Sequence, residues 1–216
     1  MAYIIDKIIM IPMVLIALMF HELAHGWVSI KLGDPTPRMQ GRMTLNPLAH
    51  LDPVGTLLMI LTGFGWAKPV QINPRYYKDP KKGMALTALA GPLTNFLLAV
   101  IAMLLYGIIF VIMVKTGLFV NSINAMARLL MQFVTLNLCF MVFNFIPIPP
   151  LDGSRILGIF LSNSAYFKLQ QYERYSFIAI ILLSATGAFD RIIGTGVYSV
   201  FNHLLIWLNK LVELVI

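Results

Sequence analysis

A chain of 216 residues that is 59% hydrophobic and 12% charged, with a mean hydropathy of +0.82, lies outside the range of soluble domains and fits a polytopic helical membrane protein. A net charge of +7 would suit nucleic acid only if a soluble domain presented it; here the basic residues flank apolar segments, where anionic lipid headgroups are the natural contact, so no nucleic-acid partner is expected. The single Cys139 excludes an internal disulfide and reads as a small apolar residue within an apolar run.

The first apolar segment, about Ile4–Ile30, is long enough to cross a bilayer, and Asp6 and Lys7 precede a run too long for a cleavable leader, so it is expected to stay in the mature protein. Within it stands His21-Glu22-Leu23-Ala24-His25. On a helix His21 and His25 are i and i+4, one turn apart on one face, close enough for both imidazoles to bind one metal ion. Glu22 lies on the adjoining face. This is the H-E-x-x-H arrangement of zinc hydrolases, in which the glutamate takes a proton from water at the metal. Ionisable groups at membrane depth cost a few kcal/mol each, so they usually mark a pathway, a relay or a metal site.

The connection from Lys31 to Lys82 carries half of the sixteen Lys and Arg residues, which places it in the cytoplasm and the N-terminus outside. Much of it is apolar. Short alternating runs at Arg42-Met43-Thr44-Leu45 and Val70-Gln71-Ile72 predict strands and a small re-entrant β element, whose free edge could pair with an unwound substrate. His50 lies here; an ordinary loop hydrogen bond outweighs a gate, a role beside the metal or an alternative-ligand role. Lys78, Lys81 and Lys82 read as headgroup contacts.

Further apolar segments follow at about Met84–Val114, Ala125–Phe145, Tyr175–Phe189 and Ile192–Leu208, giving about five spans, the last two short or interrupted. Asp190-Arg191 marks a polar turn before the last helix, on which His203 is an interfacial residue without chemistry. The third span ends in Asn144-Phe145-Ile146-Pro147-Ile148-Pro149-Pro150-Leu151-Asp152-Gly153 on the cytoplasmic side, the depth of His21 and His25. Asp152 is therefore the expected third ligand, against its alternative as a turn or capping residue. Two His and one carboxylate leave a fourth position for water, the composition of a catalytic zinc site.

His-Glu-Leu-Ala-His-Gly at 21–26, Ala-Gly-Pro-Leu-Thr-Asn at 90–95 and Asn-Phe-Ile-Pro-Ile-Pro-Pro-Leu-Asp-Gly at 144–153 together resemble the three signature segments of the site-2 protease family of intramembrane zinc metalloproteases. Thr-Leu-Asn-Pro-Leu-Ala-His-Leu-Asp-Pro at 44–53 and Gly-Trp-Ala-Lys-Pro-Val at 65–70 resemble its compact branch, which lacks PDZ and CBS domains. The resemblance implies one Zn2+ on His21, His25 and Asp152, with Glu22 as general base. It further implies Asn144 as an oxyanion donor, with an interhelical hydrogen bond as the equal alternative, and Asn95, after Gly91-Pro92 at a disturbed start of the second span, as a contact for substrate backbone.

The expectation is a single all-α integral membrane protease domain over 1–216, with its catalytic core at about 4–153 and C-terminal helices at about 155–216. It would sit in a prokaryotic cell membrane with the active site toward the cytoplasm and cut a transmembrane segment of another membrane protein; a homo-oligomer is compatible with this. The competing readings are an inactive protease-like binding or chaperone module and a divalent-metal transporter, which would need ligands at successive depths rather than one cluster.

Overall fold

The computed structural model describes residues 2–56, 68–117, 121–172 and 186–215, together with positions 175, 178, 180 and 182. Its long helices are α1 (Ala2–Lys31), α3 (Pro80–Thr116), α4 (Asn121–Phe145) and α7 (Ala188–Glu213); α2 (Thr36–Met39), α5 (Asp152–Leu157) and α6 (Asn163–Gln171) are short. Helices dominate because a backbone in hydrocarbon must pair its own N–H and C=O groups, which a helix does within one segment. Three of them, Ile9–Lys31 of α1, Pro80–Thr116 and Asn121–Phe145, are long and apolar enough to cross a membrane. On α3, Leu93, Leu97, Ile101, Leu105, Ile108 and Ile112 are exposed at three- and four-residue spacing, a stripe suited to lipid.

Three differences from the expected layout stand out. Five spans were expected and three are found among the described residues. Much of Tyr175–Phe189 lies outside those residues, and α7, although 26 residues long, carries Asp190 and Arg191 at one end and Lys210 and Glu213 at the other. Asp190-Arg191 is not the turn: Gly187, at φ +69°, turns the chain, and Asp190 sits in the first helical turn, where the macrodipole favours a carboxylate. Finally, α3 runs unbroken through Gly91-Pro92, having begun at Pro80, so this pair is interior to the helix rather than at its start.

The expected β element is also absent among the described residues: neither Arg42–Leu45 nor Val70–Ile72 forms a strand, and only an isolated bridge occurs, at Leu51. Asn-Pro pairs redirect the backbone. Asn46 accepts from Leu48 N at 3.1 Å and opens a 3-10 turn at Pro47–His50, while Asn73 accepts from Arg75 N at 3.2 Å and opens another at Pro74–Tyr76. Each proline sets φ for a turn and withholds the N–H a ladder would need, so the intervening alternation is too short to pair.

The chain forms two compact units, Met1–Thr94 with Asn144–Arg174, and Asn95–Phe143 with Tyr175–Ile216. In the second, Ala99, Ala102 and Met103 of α3, Val134, Leu138 and Met141 of α4, and Leu208 of α7 make an apolar core. Glycine permits the close approach: a Cβ on Gly107 would lie 2.5 Å from Leu208 Cδ1, and one on Gly196 would lie 2.8 Å from Val142 Cγ1. Asn95 donates to Asn137 Oδ1 at 3.0 Å inside this unit, and Asn137 donates to Phe133 O at 2.8 Å.

Candidate metal centre

The i, i+4 spacing on α1 puts His21 and His25 one above the other, their rings edge to face with centroids 4.6 Å apart. Both are buried. His25 Nδ1 lies 2.7 Å from Thr87 O, and because a carbonyl can only accept, Nδ1 carries the proton and Nε2 presents a lone pair. That Nε2 lies 3.0 Å from His21 Nε2.

Asp152 comes to the same place from a distant part of the chain. After α4 the backbone folds through Ile146–Leu151, with Ile148 N donating to Ile146 O at 2.8 Å and Leu151 N to Ile148 O at 3.0 Å, and Asp152 opens α5. Gly153 lies against the Phe145 and Ile146 carbonyls, where a side chain would not fit, which lets the helix start tuck under this turn. Ser154 Oγ donates to Leu151 O at 2.8 Å and closes the loop locally. Asp152 Oδ2 then stands 3.2 Å from His21 Nε2 and 3.3 Å from His25 Nε2.

These three atoms fit a metal. Four donors arranged tetrahedrally at 2.0–2.1 Å from a zinc ion stand about 3.3–3.4 Å apart, and the observed triangle has sides of 3.0, 3.2 and 3.3 Å. Asp152 Oδ2 is buried and accepts no hydrogen bond of good geometry, a costly state for a carboxylate oxygen unless a cation faces it. Among the described residues this is the group of His, Cys, Asp and Glu side chains able to hold a metal ion.

Glu22 is half-buried, and its Oε2 accepts from Val70 N at 2.8 Å. Val70 reaches α1 because Gly26 leaves room: a Cβ there would meet Met43 Sδ at 2.6 Å and Val70 Cγ1 at 3.3 Å. The connection thus orients the carboxylate by packing as a loop rather than as a strand.

Gly91 is packed against the ligand rings, since a Cβ on it would lie 2.5 Å from His21 Cε1 and 2.5 Å from His25 Nε2. Its proximity makes room for the imidazoles. Pro92, buried beside it, cannot donate to the Ala88 carbonyl one turn earlier, and the Thr87 carbonyl next to that one accepts from His25. Asn95 is fully buried within the other unit on Asn137. Asn144 is half-buried at the end of α4. His50, 2% exposed, ends the Pro47–His50 turn with Nε2 3.0 Å from Thr44 O, a loop hydrogen bond outside the metal-binding group. Sequence reasoning missed Thr87, Val70 and the packing role of Gly91, because a backbone carbonyl, a backbone N–H and a missing side chain leave no residue-type signal.

Over 176 residues, 80% of this chain and 78% of the relative, the chain is 40% identical to a Bacillus subtilis protein named "Putative zinc metalloprotease YwhC". It is 28% identical over 195 residues, 87% of this chain and 71% of the relative, to "Putative zinc metalloprotease Rip2" of Mycolicibacterium smegmatis. To the protein of that name in Mycobacterium tuberculosis it is 25% identical over 176 residues, 78% of this chain and 63% of the relative. No protein-family model and no solved structure matches the chain. With the ligand geometry, three apolar helices long enough to span a membrane and this extent of identity, the chain belongs to the zinc metalloprotease family of YwhC.

Proposed function

We propose that this protein is an intramembrane endopeptidase of the site-2 type that hydrolyses a peptide bond within a transmembrane segment of another membrane protein. One observation carries the reading: two of the three donors and the adjacent glutamate lie on a helix apolar enough to span a bilayer, and the third donor, Asp152, meets them there. His25 and His21 precede the Lys31 end of that helix by roughly 9 and 15 Å at 1.5 Å per residue, so the scissile bond is buried but near one face. The basic connection that follows supports a cytoplasmic orientation of this face in a bacterial cell.

His21, His25 and Asp152 would hold one Zn2+, which would supply Lewis acidity at neutral pH. Glu22, held by Val70 N, takes the proton from the attacking water and delivers it to the leaving amine. Gly91 keeps the ligand rings in place, and Asn144 serves the substrate as oxyanion donor. A substrate helix must unwind before its backbone can enter such a site, so helix-breaking residues in the substrate favour cleavage.

The test is purified wild type and Glu22→Gln in detergent, with bound zinc measured on each and cleavage of a single-span substrate followed with and without a chelator. Equal zinc is expected, with cleavage slowed about 10²–10⁴-fold in the variant, the usual contribution of a general base. Equal cleavage rates would remove Glu22 from the mechanism, and cleavage that persists after zinc is stripped would overturn the reading.

A further inference from the structure

A buried chain of hydrogen bonds leads away from His25 to a carboxylate beyond the end of α1. Ser29 is four residues after His25, hence on the same face. Its hydroxyl donates to Asp34 Oδ2 at 2.7 Å and lies 2.7 Å from Tyr77 Oη, which in turn lies 3.2 Å from Thr87 Oγ1. Thr87 is the residue whose carbonyl receives His25 Nδ1–H. Ser29, Asp34 and Thr87 are fully buried and Tyr77 is 5% exposed.

Proton counting gives this chain one direction. An ionised carboxylate only accepts, so Ser29 spends its single proton on Asp34; Tyr77 must then donate to Ser29, and Thr87 to Tyr77. Asp34 also accepts from Asn73 N at 2.7 Å on Oδ2 and from Thr36 N at 2.9 Å on Oδ1. The turn that delivers it closes on Asp34 N to Ser29 O at 3.1 Å and uses Gly33 at φ +104°, a conformation that favours glycine. One carboxylate thereby ties together the end of α1, the start of α2, the connection at Asn73 and, through Tyr77, the first turns of α3.

We propose that Asp34 is a positioning residue for the metal site, acting through Ser29, Tyr77 and Thr87 to hold the Thr87 carbonyl against His25 and so to fix the tautomer and ring orientation of that ligand. Partners that orient a ligating histidine typically carry a 10–100-fold effect on metal affinity. The inference rests on His25 being a ligand, and the variants separate the two ideas.

The experiment is zinc affinity by chelator competition on the full-length protein in detergent, below the melting temperature of every variant, together with the His25 tautomer of the metal-free protein from histidine-labelled ¹⁵N NMR. Thr87→Val and Tyr77→Phe keep shape and lose one hydroxyl; each is expected to weaken zinc binding about tenfold. Both should also shift His25 toward a mixture of tautomers, whereas Thr87→Ser, which restores the hydroxyl, should bind within about twofold of wild type. A Thr87→Val protein that melts lower yet keeps wild-type affinity and a single tautomer would reduce the chain to scaffold and overturn the proposal. Loss of affinity in Thr87→Ser equal to that in Thr87→Val would do the same. His25→Ala is the control: if it retains wild-type affinity, the ligand assignment itself is wrong.

Discussion

The interiors of the two compact units are built from different materials. In the unit formed by Met1–Thr94 and Asn144–Arg174 the buried side chains include His21, His25, Ser29, Asp34, His50, Thr87, Asp152 and Ser154, while in the unit formed by Asn95–Phe143 and Tyr175–Ile216 they are Ala, Met, Val, Leu, Ile and Phe around the Asn95–Asn137 pair. In an apolar solvent an apolar interior has no hydrophobic drive over lipid contact, so the second unit depends on close packing over glycine and on one amide pair. The first accepts the cost of burying polar groups and satisfies nearly all of them internally. Asp152 Oδ2 is an exception, at the place where a cation fits. A buried carboxylate oxygen left unmet beside two converging imidazoles marks a site; a buried apolar cluster with good contacts is support.

This contrast can be broken most directly at Asp152. Asp152→Ala removes one of three ligands and the acceptor that lacks a partner; stoichiometric zinc should be lost and proteolysis with it, read by metal analysis and a cleavage assay. Leu138→Ala, in the other interior, should cost about 2–5 kcal/mol of stability through lost contacts and a cavity, while the folded fraction keeps its zinc. Thermal unfolding and metal content measured together on one sample separate the two effects. Zinc loss in folded Leu138→Ala would show that the apolar unit is more than support.

Gly91→Ala sharpens the comparison with a single methyl group. The added carbon has no room beside the ligand rings, so zinc affinity should fall about 10–100-fold, the range seen when a metal ligand's surroundings are disturbed. By contrast Gly194→Ala, where nothing lies within 4 Å of the added carbon, should leave affinity unchanged.

The smallest expected effect is a response to acid. Burial pushes the Asp34 carboxyl up, but hydrogen bonds from Asn73, Thr36 and Ser29 outweigh it and hold the group below its ordinary value. A carboxyl depressed in the folded state adds stability that is complete above its unfolded pKa, near 3.9, and is lost as pH falls toward the folded value. Wild type should therefore lose more stability than Asp34→Asn between pH 5 and the acid limit of about 3, as melting temperatures would show. Equal acid sensitivity of the two proteins would remove Asp34 as the charged anchor of its network.

Much of this was legible in the residues because it is local or periodic. The apolar runs set α1, α3 and α4, since twenty consecutive apolar residues in a bilayer leave the backbone little choice but a helix. The 3.6-residue period brought His21 and His25 together, and a shared depth pointed to Asp152 across more than a hundred residues. What failed was the part whose outcome depends on weak alternation: Arg42–Leu45 and Val70–Ile72 read as strands, but Asn46-Pro47 and Asn73-Pro74 bend the backbone before a ladder can form. By itself, then, the amino-acid order determined the three long apolar helices and the pairing of His21 with His25, and it pointed to Asp152 as the residue that joins them. Only the tertiary structure decided that Val70 holds Glu22, that Thr87 and Gly91 set the histidines, and that Asp34 closes a network four side chains long. Those contacts are made by backbone groups and absent side chains meeting across distant segments, and they exist only once the chain has packed.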